Sequence, residues 1–213
     1  MAEFGLGGGV DLLRRRATVA RLTIYAFVIA CLGVVIGNGL ESAGIINLYE
    51  EYPDELSGLF AIVYLLALTI FIGSVVTVSM WIHRAHANLV AAGIEDLEYT
   101  PGWSVGWFFI PIANLFKPFQ AMRELWVRSH GIEWDSSQDT PSLLSAWWGT
   151  WLGGNILSNV GSRIAESGNA TAGGLLSGVG AALLILAAIL LLRIINEVTR
   201  AQTAGTISAH AFA

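Results

Sequence analysis

The chain is 213 residues long, and its composition excludes an ordinary soluble domain of that length. Hydrophobic residues make up 54% of it and charged residues 13%, and the mean hydropathy is +0.63. Soluble domains carry about 25% charged residues, so much of the surface is expected to face lipid. The net charge of −5 comes without any long run of Lys and Arg, which argues against a nucleic-acid partner.

Residues 1–21 precede the first apolar stretch and are predicted to form a cytoplasmic segment that opens with a loose glycine-rich tail over residues 4–9. A basic region ahead of an apolar run is also typical of a signal peptide, but no convincing cleavage site follows it. We therefore interpret the segment as the flank of a membrane span. Its basic residues are Arg14, Arg15, Arg16 and Arg21.

Four stretches are long and apolar enough to cross a bilayer, whose hydrocarbon core of about 30 Å needs about 20 helical residues. Backbone groups in lipid must be hydrogen-bonded within the chain, so each stretch is predicted to be an α-helix. The predicted spans are residues 22–40, 59–82, 143–161 and 175–195.

A fifth apolar stretch, residues 103–116, is short for a crossing and has Pro111 near its middle. The positive-inside rule discriminates between a crossing and a return to the same side. A crossing would leave six basic residues inside and five outside, whereas a return leaves ten inside and only Arg163 outside. The sequence therefore predicts four spans with both termini in the cytoplasm.

The tryptophans give a second indication of the same topology. All eight lie between Trp81 and Trp151. In the four-span arrangement each falls at or near the cytoplasmic interface, where indole rings are favoured.

Residues 100–129 are predicted to form a hairpin of two short helices, with Thr100 as the N-cap of the first and Pro118 near the start of the second. Apolar residues recur at helical spacing in the second helix, and Glu124 is expected on the opposite, polar face. Lys117 keeps the hairpin shallow, because a lysine at the bilayer centre costs at least about 3 kcal/mol.

The predicted fold is all-α: a bundle of four transmembrane helices with an interfacial or re-entrant helical hairpin between spans two and three. One membrane domain is expected over residues 22–200, followed by a disordered tail over residues 201–213.

A set of residues between the second and third predicted spans and at their ends resembles the pattern of a known family. The set is Trp81, Arg84, Ala85, Asn88, Leu89, Thr100, Pro101, Gly102, Trp103, Gly106, Trp107, Pro111, Asn114, Leu115, Pro118, Gln120, Ala121, Met122, Leu125, Trp126, Trp147, Trp148 and Trp151. It resembles the bacterial membrane family called Domain of Unknown Function 4328 over about residues 60–195. The resemblance implies a small multi-pass protein of the bacterial cytoplasmic (inner) membrane, and it implies no catalytic residue.

The best candidate for a functional site is the face, rich in tryptophan and basic residues, that is predicted on the cytoplasmic side. Such a face favours anionic lipid headgroups or a protein partner. The alternative is ordinary anchoring, with Arg123 or Arg128 paired to Glu124. The candidate residues are Arg84, Lys117, Arg123, Arg128, Trp103, Trp107 and Trp126.

Two other function classes stay open. A small channel or transporter, with the hairpin as its gate, would need a polar pathway past Asn38, Asn155 and Asn159. An enzyme or metal site would use His83 and His86, one helical turn apart, but no carboxylate or cysteine stands at ligand spacing beside them. Hydrolase, zincin and Walker motifs are absent from the sequence, and no cofactor is predicted.

Small residues indicate how the spans pack. Glycines four residues apart let helix backbones approach closely, either within the chain or against a second copy or another membrane protein. Asn155 and Asn159 are expected to hydrogen-bond between helices. The glycine pairs are Gly33 and Gly37, Gly149 and Gly153, and Gly174 and Gly178.

Overall fold

The computed structural model describes residues 6–47, 54–132 and 141–204, and all regular structure within these ranges is helical. Two 3-10 turns, Trp107–Phe109 and Ala113–Leu115, connect the third helix to the fourth. The helices are α1 (Leu6–Ser42), α2 (Glu55–Ala91), α3 (Trp103–Gly106), α4 (Lys117–Ser129), α5 (Ser142–Glu166) and α6 (Ala170–Thr203).

Three of these helices are long and apolar enough to cross a membrane, which makes the chain a multi-span membrane protein. The qualifying stretches are Gly8–Glu41, Glu55–Ala91 and Thr171–Thr203, and they contain the first, second and fourth predicted spans. The third predicted span lies in α5, which is 25 residues long but less apolar. Its crossing of the membrane stays a prediction.

The long helices extend past the predicted spans. The loose tail expected over residues 4–9 is wrong from Leu6 onward, because α1 begins there. At the other end, α6 continues to Thr203, three residues into the predicted tail. Residues 205–213 of that tail lie outside the described residues.

Contacts divide the chain into two compact units. Unit 1 contains residues 1–21, 76–148 and 190–213, and unit 2 contains residues 22–75 and 149–189. Each of the four long helices contributes a segment to both units. Ten of the eleven Lys and Arg residues fall in unit 1, and only Arg163 falls in unit 2.

The two units differ in how they bury apolar side chains. Unit 1 has a closed core, whose fully buried members include Leu13, Trp81 and Met122. In unit 2 many large apolar side chains, such as Ile29 and Leu65, are exposed. Outward-facing leucines and isoleucines on long helices are what a lipid environment permits and water does not.

Within unit 2, α1 packs closely against α2 through the first predicted glycine pair. A Cβ on Gly33 would lie 3.1 Å from Cγ1 of Val63, and a Cβ on Gly37 would lie 2.8 Å from Cδ1 of Phe60. This pair therefore serves packing within the chain, as the sequence indicated.

In unit 2, α5 approaches α6 closely through glycines spaced seven residues apart. A Cβ on Gly161 would lie 2.7 Å from the carbonyl oxygen of Gly173, and one on Gly180 would lie 2.9 Å from that of Gly154. Seven residues are two turns of a helix, so these glycines share one face.

The other predicted glycine pairs do not mark this contact. Gly149, Gly174 and Gly178 have nothing within 4 Å of an added Cβ, and Gly153 meets only the side chain of Leu183 at 3.6 Å. The predicted spacing of four residues is thus wrong for the α5–α6 contact. Contact of these open positions with a second copy of the chain stays a prediction.

Gly173→Ala is expected to destabilise the protein, because its Cβ would lie 2.6 Å from the oxygen of Gly161 and 2.7 Å from Cα of Ala165. Overpacking of this kind costs about 1–3 kcal/mol, which thermal unfolding in detergent detects as a lower Tm. Gly174→Ala is the matched control, because its Cβ meets open space. Equal Tm values for the two variants would contradict the close approach.

Candidate functional site

Side-chain hydrogen bonds in unit 1 hold α1 and the end of α2 against the last part of α6. Arg21 donates from Nη1 to Oδ1 of Asn196 at 2.9 Å. Trp81 donates from its indole nitrogen to Oγ1 of Thr199 at 3.1 Å, and its ring is fully buried. An indole buried with its N–H satisfied is a strong packing anchor.

A buried polar network joins α2, α4 and α6. Gln202 donates from Nε2 to Oγ of Ser129 at 2.9 Å and to the carbonyl oxygen of Ala85 at 3.0 Å. Its Oε1 accepts from Nδ2 of Asn88 at 3.1 Å, and Oδ1 of Asn88 accepts from Nε of Arg84 at 2.8 Å. Buried amides are tolerated only when they are hydrogen-bonded in this way.

A second buried group, the carboxyl of Glu124, holds the loop between α2 and α3. It accepts from the backbone N–H of Glu98 at 2.6 Å and from that of Tyr99 at 3.1 Å, and the side chain is fully buried. Burial raises the pKa of Glu124, although the two backbone hydrogen bonds oppose the shift. The predicted polar face of α4 is therefore buried at Glu124 against this loop.

The same loop contacts the start of α4. Tyr99 donates from its hydroxyl to Oε1 of Gln120 at 2.7 Å, and burial raises the pKa of the Tyr99 phenol. Lys117 lies 3.7 Å from the carboxylate of Glu98 and 5.5 Å from the centre of the Tyr99 ring. The segment between residues 99 and 117 therefore begins and ends at the contact between this loop and α4.

The hairpin between these ends is short and apolar. Thr100 accepts at Oγ1 from the backbone N–H of Trp103 at 3.3 Å, but the N-cap of α3 is Gly102, so the predicted cap position is wrong by two residues. Ile112 has a φ of +69°, a left-handed conformation that is strained for a β-branched residue. The side chains of Phe109, Ile112 and Phe116 are 67%, 78% and 60% exposed.

The tryptophans divide between the hairpin and the core. Trp103 and Trp107 contact each other at 4.8 Å between ring centres, and Trp126 stacks on His130 at 4.5 Å. Trp148 is buried and donates from its indole nitrogen to the carbonyl oxygen of Leu115 at 3.1 Å. Trp81, Trp147 and Trp148 are thus core residues, whereas the sequence predicted that all eight tryptophans lie at or near the interface. Trp134 lies outside the described residues.

The four candidate bases occupy different contacts. Lys117 and Arg128 are brought to the same loop, where Arg128 donates from Nη2 to the carbonyl oxygen of Asp96 at 3.3 Å. Arg84 belongs instead to the buried polar network. Arg123 lies on α4 and is half-buried. Binding of a headgroup by this set stays a prediction.

The histidines and asparagines of the alternative sites make local contacts. His83 is exposed whereas His86 is fully buried, and across the described ranges no three His, Cys, Asp or Glu side chains are placed to hold a metal. Asn155 and Asn159 each donate to the carbonyl oxygen four residues earlier in α5, both at 2.8 Å, so the prediction of interhelical hydrogen bonds is wrong. Asn38 accepts from the hydroxyl of Tyr64.

Comparison with known proteins places the chain in a family. Residues 53–200 match the family model described as "Domain of unknown function (DUF4328)". The chain belongs to this family. The DUF4328 region includes Arg84, Asn88 and Glu124, whereas α1 lies outside it. Neither a curated protein nor a solved structure matches the chain.

Glu124→Ala is expected to lower the free energy of unfolding of this DUF4328 protein by about 2–4 kcal/mol, because two backbone N–H groups lose their acceptor. Thermal and denaturant unfolding in detergent measure the loss. Glu95→Ala is the control, because Glu95 is an exposed carboxylate of the same loop and should change stability by less than about 0.5 kcal/mol. Similar losses in both variants would show that Glu124 does not hold the loop.

Proposed function

We propose that this DUF4328 protein crosses the membrane four times, keeps both termini in the cytoplasm and binds anionic lipid headgroups with unit 1, without catalysing a reaction. The observation that carries the proposal is the grouping of ten of the eleven bases in unit 1. Lys and Arg near span ends concentrate on the cytoplasmic side of a membrane. The same residues attract the anionic lipids of that leaflet.

The contact between the two ends of the hairpin supports four membrane crossings, an even number. Because Lys117 contacts Glu98, residues 99–117 leave and return at one place. The 3-10 turns in this segment leave backbone groups that lipid does not satisfy, which favours the interface over a crossing. At 25 residues, α5 is about 37 Å long and sufficient for the remaining span.

The exposed hairpin supports contact with the bilayer surface. Phe109, Ile112 and Phe116 present apolar side chains on the segment that ends at Lys117, where α4 begins. Apolar groups inserted at the boundary of headgroups and acyl chains, with a base at headgroup level, are typical of interfacial segments. Each base near an anionic surface contributes about 1 kcal/mol to binding.

Labelling tests the topology. In a Cys31→Ser background, a cysteine introduced by Ser137→Cys is expected to react with a membrane-impermeant maleimide only after the cells are permeabilised. A cysteine introduced by Ser167→Cys, between α5 and α6, should react in intact cells. Labelling of the Ser137→Cys variant in intact cells would place the α4–α5 connection on the outer side and overturn the orientation.

Lipid retention tests the binding. Replacing Lys117 and Arg123 by Gln should reduce the phosphatidylglycerol retained in native mass spectrometry by more than tenfold, since two bases near an anionic surface are removed. Arg163→Gln is the control, because Arg163 is the base in unit 2. An unchanged Tm in the double variant shows that the fold is intact. Unchanged retention in that folded variant would contradict the proposal.

A further inference from the structure

Arg16 and Arg84 lie close together in unit 1, where α1 packs against α2. Arg16 donates from Nη1 to the carbonyl oxygen of Met80 at 2.8 Å, and Met80 precedes Arg84 by one helical turn. The positive charges of the two guanidinium groups repel each other. Neither forms an ion pair in the described part of the chain, where ion pairs join Arg14 to Asp11, Lys117 to Glu98 and Arg200 to Glu197.

Both guanidinium groups retain unused donors. Arg84 bonds to Oδ1 of Asn88 through Nε at 2.8 Å and Nη2 at 2.5 Å, which leaves Nη1 without an acceptor among the described residues. The Nε of Arg16 is buried and likewise has no acceptor there. Two neighbouring cations with unsatisfied N–H groups form an arrangement that an anion stabilises.

Arg84 is held in one orientation by buried groups. Its acceptor Asn88 is fixed by Gln202, which is fixed in turn by Ser129 and the carbonyl oxygen of Ala85. Asn88 and Ser129 are fully buried and Gln202 is 1% exposed. A guanidinium held by a satisfied buried network loses little freedom when it binds a ligand, unlike a basic side chain that only anchors a helix in the headgroup region.

Glycine at position 9 lets Arg84 and Asn88 lie directly against the backbone of α1. A Cβ there would lie 2.6 Å from Oδ1 of Asn88 and 3.2 Å from Cζ of Arg84. Any side chain would therefore displace the guanidinium from Asn88. Gly9 precedes Arg16 by two helical turns, which places both residues on the face of α1 that meets α2.

We propose that Arg16 and Arg84 together bind the phosphate group of an anionic ligand. The planar guanidinium matches the oxygens of a phosphate through paired N–H···O bonds, and two guanidinium groups match its charge. The phosphate is that of a lipid headgroup or of a free phosphate compound, and both present the same oxygens. The lipid source rests on the proposed function, whereas the arginine pair is a separate claim about where the phosphate binds.

The test compares four variants of the full-length protein with two probes. Phosphatidylglycerol retention is followed by native mass spectrometry, and inorganic phosphate binding by isothermal titration calorimetry in neutral detergent. Arg16→Gln and Arg84→Gln are expected to weaken binding of at least one probe by at least tenfold. Arg84→Lys should weaken it as much, because the charge stays but the fork of donors is lost. Arg15→Gln, an exposed neighbour, should weaken it less than fivefold.

Each outcome decides the proposal. Loss confined to the lipid probe identifies a headgroup, and loss of inorganic phosphate binding identifies a free phosphate compound; both support the arginine pair. Wild-type binding by Arg84→Lys, or equal losses in all three Gln variants, would overturn it. If, in that case, the double variant of Lys117 and Arg123 still retains less lipid than the wild type, the proposed function is supported. Only the proposal about the arginine pair is then rejected. If Arg84→Gln does not fold, Arg16→Gln and Arg84→Lys decide the result.

Discussion

The carboxyl of Glu124 joins the two ends of the hairpin, and the placement of the chain on either side of it depends on that bond. The carboxyl lies on α4 and accepts two backbone N–H groups from the loop that follows α2. Because the loop and α4 are held together, the apolar segment between them begins and ends at the same contact. The end of α2, α4 and the start of α5 belong to one unit, and most of the basic residues are grouped there.

The sequence predicted the helices well because long apolar runs and proline positions depend on local chemistry. The three apolar spans, the start of α4 beside Pro118 and the Gly33 and Gly37 contact all follow from such local patterns. The burial of Glu124 was not predicted, because helical spacing shows only which side of α4 it occupies. Whether that side meets water or the Glu98 and Tyr99 backbone is a tertiary fact.

The candidate site was less predictable for the same reason. Basic residues and tryptophans were recognised by type, but their partners come from segments far apart in the chain. Gln202 is more than a hundred residues from Asn88 and had no motif to mark it. Arg16 was interpreted as one of several flanking bases, and only the approach of α1 to Met80 distinguishes it from the exposed Arg15.

A fixed side-chain orientation distinguishes a binding residue from an anchoring residue in this protein. Bases that follow the positive-inside rule need only reach the headgroup region, and flexible side chains do so without fixed partners. A buried amide network is unnecessary for that task, and it is costly to leave incomplete. The network through Asn88 and Gln202 nevertheless ends on a guanidinium that is only partly buried. A fixed orientation of that guanidinium is useful for a ligand whose oxygens accept hydrogen bonds at a defined position.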